Sequence, residues 1–162
     1  MYQNILLAYD GSPDGREALA QAKSLASISG STVHLLAIID PSENMAIVEG
    51  MSPVLDRQHH ERMLAQSALD AAVKRLRGGC TVTSDIRYGN PAEQIVLSAR
   101  EMNADLIVVG HRDQGRLARW LSGSVGESIL HHPPCSVLVA IKSEQKVNSP
   151  ASVKKSMVPE DG

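Results

Sequence analysis

The amino-acid sequence predicts an α/β fold, an open parallel sheet with helices on both faces. Three observations carry this reading. Short apolar runs alternate with helix-length amphipathic segments from Gln3 to Ile141. Several runs are apolar almost throughout, as strands covered on both faces are. Turn residues mark the junctions where each crossover begins or ends. With 162 residues the chain makes one domain of ordinary size, able to bury a core without metals or disulfides.

The first strand spans Gln3 to Tyr9 and stops at Asp10-Gly11-Ser12-Pro13. Ser12 suits an N-cap, and Pro13 suits the first helical position, where its missing N–H costs nothing. Ala18, Ala22, Leu25, Ala26 and Ser29 recur at helical spacing until Gly30 closes the helix. Thr32 to Ile39 is the second strand, and Pro41 to Val54 reads as a loop. A helix from about Asp56 to Arg77 follows, its apolar face made by Ala65, Leu69, Ala72, Val73 and Leu76. Gly78-Gly79 breaks it before a third strand at Cys80 to Arg87.

Asn90 then caps a helix that Pro91 opens, with Glu93 in capping-box position and Ile95, Ala99 and Met102 on its apolar stripe. Asp105 to Val109 is strand four. After a Gly- and Arg-bearing loop come a short helix from about Ser124 to His131 and strand five at Ser136 to Ile141. Residues 1–142 thus form the domain. The stretch Ser143 to Gly162 is polar and aperiodic and reads as a disordered tail.

Composition removes several functions. A formal charge of -2 disfavours a nucleic-acid polyanion as partner, and an inventory with no Phe, one Trp and three Tyr cannot build base-stacking platforms. No apolar run reaches the ~18 residues of a membrane helix. Met1 leads straight into Gln3-Asn4-Ile5 with no basic region, which predicts the cytoplasm. Cys80 and Cys135 form no CxxC pair and lie next to apolar stretches, so they read as small buried hydrophobes. His59-His60 and His131-His132 are adjacent pairs that share no helix face, and they read as surface or capping residues. No nucleophile–base pair, paired carboxylates or metal cluster is visible, so an enzyme is not supported.

In an open parallel sheet, ligands bind beyond the carboxyl ends of the strands, where strand order reverses. Two loops qualify: Asp10-Gly11-Ser12, and Gly110-His111-Arg112-Asp113-Gln114-Gly115 with Gly123-Ser124-Val125 beyond it. Glycines let backbone N–H groups approach a phosphate, and a Ser at a helix start adds a hydroxyl. The same glycines also serve ordinary turns. His111, Arg112, Arg116 and Arg119 give the second loop a positive excess, either for phosphates or as a solvated face. G-x-G-x-x-G after strand one and G-x4-G-K-[ST] are both missing, which argues against a Rossmann dehydrogenase and a P-loop ATPase.

Ile5-Leu6-Leu7-Ala8-Tyr9-Asp10-Gly11-Ser12, Gly89-x-Pro91, Ala104 to Gly110, Gly123-Ser124-Val125 and Pro134 to Val139 occur in one order that resembles the universal stress protein family. The resemblance runs from Met1 to about Lys142 and implies a five-stranded parallel sheet of order 3-2-1-4-5. It also implies an adenine-nucleotide sensor or regulator of the stress response with little turnover, binding ATP (or AMP), with Mg²⁺ as a candidate companion of the nucleotide.

The family's ATP-binding members carry G-x2-G-x9-G-[ST] after strand four. Gly110 and Gly123-Ser124 match it, the second glycine falls on Asp113, and Gly115 is two residues out of register. By the same resemblance Asp10 is the strand-one acid facing the nucleoside and Ile38 the strand-two residue whose backbone contacts adenine. On the residues alone, Asp10 can instead cap the turn, although its place at the switch point favours a ligand role, and Ile38 equally fills the core. A branch of the family without these glycines binds no ATP, so a nucleotide-free dimeric interaction protein stands as the rival expectation. A slow ATPase or self-phosphorylating protein with Ser124 as acceptor is another. The resemblance further implies a homodimer through strand 136–141; a separate protein partner is a further expectation.

Overall fold

In the computed structural model, the described residues are 1–41, 54–110 and 133–141, with side chains from Arg57 onward in the second segment. Eight elements follow in chain order: β1 (Asn4–Ala8), α1 (Pro13–Ser29), β2 (Thr32–Ile39), α2 (Val54–Leu76), β3 (Thr81–Tyr88), α3 (Pro91–Glu101), β4 (Leu106–Gly110) and β5 (Ser136–Ala140). The five strands make one sheet of order β3-β2-β1-β4-β5, with every neighbouring pair parallel. This is the expected architecture. The helix expected at Ser124 to His131 and the tail from Ser143 lie outside the described residues.

Alternation along each strand sorts the core into two layers. Ile5 and Leu7, Val33 and Leu35, and Leu106 and Val108 face Ala18, Leu19 and Ala22 of α1 and Leu69, Ala72 and Leu76 of α2. Leu6, Leu36, Ile107 and Val109 point the other way, onto Ile95 and Ala99 of α3. Helices therefore cover both faces, which is why the inner strands read as unbroken apolar runs.

The caps act as the sequence predicts. Ser12 accepts the Gly15 N–H at 3.0 Å, and Gly30 takes the left-handed conformation (φ 67°) with its N–H on the Ala26 carbonyl at 2.8 Å. Asn90 accepts the N–H groups of Ala92 and Glu93 at 3.0 and 3.2 Å. The amino ends of the inner strands are tied by Asp105, whose carboxylate accepts the Gln3 and Asn4 amides.

Some expectations need correction. α2 begins at Val54, two residues before the predicted start. β3 is shifted by one residue to Thr81–Tyr88, and Cys80 stands just outside it. Both cysteines are half-buried rather than buried, since each precedes its strand instead of lying in its packed middle. Leu19 joins the buried face of α1, a position the periodicity had not included.

The two edges of the sheet differ in chemistry. β3 carries mostly exposed polar side chains, with Arg87 donating to Asp85 at 3.2 Å and to Glu101 at 2.5 Å. At β5 two exposed residues are large and apolar, Val139 and Ile141.

Candidate functional site

Strand order reverses between β1 and β4, and there the sheet opens. The β1–β4 ladder pairs Ile5 with Leu106, Leu6 with Ile107 and Leu7 with Val108, and ends. Beyond that point each strand pairs only with its outer neighbour: Ala8 with Leu36 of β2, and Val109 and Gly110 with Val139 and Ala140 of β5. Tyr9 continues outward, its N–H on the Leu36 carbonyl at 2.9 Å. The sheet thus parts at its carboxyl edge, the place where open α/β sheets bind ligands.

The turn after β1 forms one wall. Asp10 Oδ1 accepts the Ser12 N–H at 2.9 Å, an Asx turn, and Arg16 Nη1 donates to the Gly11 carbonyl at 2.9 Å. Gly11 has φ 76°, and a methyl built on it would stand 3.2 Å from Cβ of Ala68 in α2. Only a residue without a side chain fits both the conformation and the contact. The turn is thus held by α1 from one side and packed by α2 on the other.

Gly110 forms the opposite wall. A methyl on it would lie 2.6 Å from the carbonyl carbon and oxygen of Asp14 and 3.0 Å from the Gly15 nitrogen. The close approach that demands glycine here is to the first turn of α1. That turn fits into the gap where β1 and β4 part.

Of the predicted site residues, Asp10 and Gly110 come together around α1. Ile38, half-buried in β2, packs its side chain against the Leu6–Leu36–Ile95 layer, so a ligand contact from it would use the backbone. Asp113, Gly115, Gly123, Ser124 and Val125 lie outside the described residues, as do His111, Arg112, Arg116, Arg119 and the His131-His132 pair. His59 and His60 are exposed, as expected. Among the described residues no group of three or more His, Cys, Asp or Glu could hold a metal ion. No helix there is long and apolar enough to cross a membrane.

Two residues of the site escaped the sequence reading. The reach of the Arg16 side chain back to the Gly11 carbonyl has no pattern in sequence. Gly15 stands in the first turn of α1, where glycine is a poor helix former. A glycine where alanine is the better choice was the available signal.

The universal stress protein family model matches residues 1–140. The chain belongs to this family. A Staphylococcus aureus (strain USA300) protein named as a universal stress protein is 31% identical over 150 residues, covering 89% of this chain and 86% of its own. The crystal structure of a family member from Burkholderia pseudomallei is similar with TM-score 0.66 and 29% identity, over 85% of this chain and 95% of that one. Two more distant universal stress proteins share the fold and were solved with nucleotides. One, in complex with cAMP, has TM-score 0.56 and 23% identity over 88% and 98% of the two chains. The other, from Arabidopsis thaliana with AMP bound, has TM-score 0.62 and 16% identity over 91% and 97%.

Proposed function

We propose that this universal stress protein binds an adenine nucleotide, ATP first, in the β1–β4 crevice and acts as a sensor or regulator with little turnover. The observation that carries the reading is the early end of the β1–β4 ladder at Leu7 and Val108, with Asp10 on one side of the opening and Gly110 on the other. A carboxylate at a switch point is an acceptor suited to nucleoside hydroxyl or amino groups. Family members solved with AMP and cAMP support the ligand class. The nucleoside end falls to Asp10 and the Ile38 backbone. The phosphate end falls to Gly115, Gly123, Ser124 and Val125, with Mg²⁺ accompanying the phosphates. The cytoplasm is the proposed compartment, and a dimer through β5 the proposed assembly.

The packing of Gly110 on Asp14 favours a second reading. Since the fold alone requires glycine at that position, the first glycine of the phosphate motif is no evidence for phosphate. With Asp113 at the second, a nucleotide-free dimeric interaction protein is the rival. Acid extraction of the purified protein, with identification of any released nucleotide, tests the two. Bound ATP or AMP supports the first. No nucleotide, and no heat on titrating ATP or AMP to millimolar concentration, leaves the rival.

A further inference from the structure

Gly15 has an ordinary helical backbone in the first turn of α1, where alanine would be the better helix former. A methyl built on it would nevertheless lie 2.8 Å from Asp10 Oδ1, 3.3 Å from Ser12 Oγ and 3.5 Å from Cδ2 of Tyr9. Asp10 Oδ1 is the atom that accepts the Ser12 amide. The carboxylate therefore rests on the bare Cα of Gly15 while its oxygen closes the turn.

The obstacle to a side chain at position 15 is the end of a rotatable side chain. Relief is available by turning χ1 of Asp10, which breaks the bond to Ser12 and swings the carboxylate away. The first turn of α1 also packs closely on β4, since a methyl on Gly110 would stand 3.0 Å from the Gly15 nitrogen.

We propose that Gly15 is a positioning residue: it seats the Asp10 carboxylate, and so fixes the direction in which that group meets a ligand in the β1–β4 crevice. The ligand consequence rests on the nucleotide reading above; the coupling between positions 10 and 15 stands without it.

The test is Gly15→Ala in the full chain, made in the wild type, in Asp10→Asn, which keeps an oxygen at the same place, and in Asp10→Ala, which removes it. With the oxygen gone, the gain in helix propensity should raise the thermal midpoint by ~2–4 °C. In the wild type and Asp10→Asn the midpoint should not rise. Calorimetry with ATP and AMP should show Gly15→Ala weakening binding about five- to tenfold in the wild type, the loss expected when a charged hydrogen-bond acceptor is misdirected. In Asp10→Ala it should have no effect. An equal rise in midpoint in all three backgrounds would overturn the seat, as would an equal loss of affinity with and without Asp10. If the wild type binds no adenine nucleotide, the functional reading fails, and the midpoint comparison still decides the coupling.

Discussion

Gly110, the last residue of β4, stands against the backbone of Asp14, the second residue of α1, so closely that a methyl on it would come within 2.6 Å of the Asp14 carbonyl. Both partners of this contact are main chain, so neither can rotate aside. Gly110→Ala should destabilise the protein by about 2 kcal/mol or more through overpacking. Urea unfolding without nucleotide checks it. A variant as stable as the wild type would restore a phosphate-only role for this glycine.

How far the sequence was legible follows from which contacts are local. Ser12, Pro13, Gly30 and Asn90 act within a few residues of themselves, and their roles could be read directly. The apolar alternation named the strands, and the resemblance supplied their order. Contacts between segments left no such trace. Gly110 on Asp14, Gly11 on Ala68 and Gly15 under Asp10 all depend on where α1 and α2 settle once the sheet has formed. Gly11 read as a turn residue and Gly110 as a phosphate-loop residue, and Gly15 drew no reading, because a missing side chain does not say what stands in its place.

His34 links the fold to pH. Burial pushes its imidazole below the ordinary value, and Nδ1 lies 2.5 Å from Thr83 Oγ1 on the neighbouring strand. The folded chain then holds fewer protons than the unfolded one just below the ordinary histidine pKa of about 6.5. This contribution is present above that value and is lost as pH falls through the lower folded one. Stability should therefore decline more steeply from pH 7 to 5 in the wild type than in His34→Gln, measured by urea midpoints at each pH. Equal slopes would remove His34 from the acid response.

Cys80 and Cys135 precede the two opposite edge strands, too far apart for the ~7 Å Cα limit of a disulfide. Both should titrate as free thiols in denaturant without reductant. Burial raises both thiols; Asp105 adds to the rise at Cys135 while a backbone hydrogen bond from Ile107 opposes it, and Lys23 partly offsets it at Cys80. Alkylation of the native protein at pH 7 should accordingly be slower at both sites than that of a free cysteine. Mass spectrometry of time points resolves the two sites.

Exposed Val139 and Ile141 beside β5 give the proposed dimer a place to form. Val139→Lys should yield a monomer by light scattering at micromolar concentration, with the far-ultraviolet circular dichroism of the parent. An unaltered dimer would place the interface elsewhere.

Asp113 stands where the family's ATP-binding members have glycine. At ~5 Å and an effective dielectric near 20, it would repel a phosphate by roughly 3 kcal/mol before screening. Asp113→Gly should tighten ATP binding about tenfold or more and AMP binding less, by calorimetry. Weaker ATP binding in Mg²⁺ but not in EDTA would instead make this carboxylate a metal ligand.

The unlike edges of the sheet bear on how many copies can assemble. A strand edge offers its backbone to any strand that can lie beside it, and a sheet with two receptive edges grows without end. Here β3 carries charge, with Asp85 and Arg87 pairing to each other and Arg87 reaching Glu101, while β5 and its end expose Val139 and Ile141. An assembly that uses β5 alone is self-complementary about a twofold axis and is satisfied at two copies. In the proposed β5 dimer the charged edge would face outward on both copies, leaving no receptive edge from which a filament could grow.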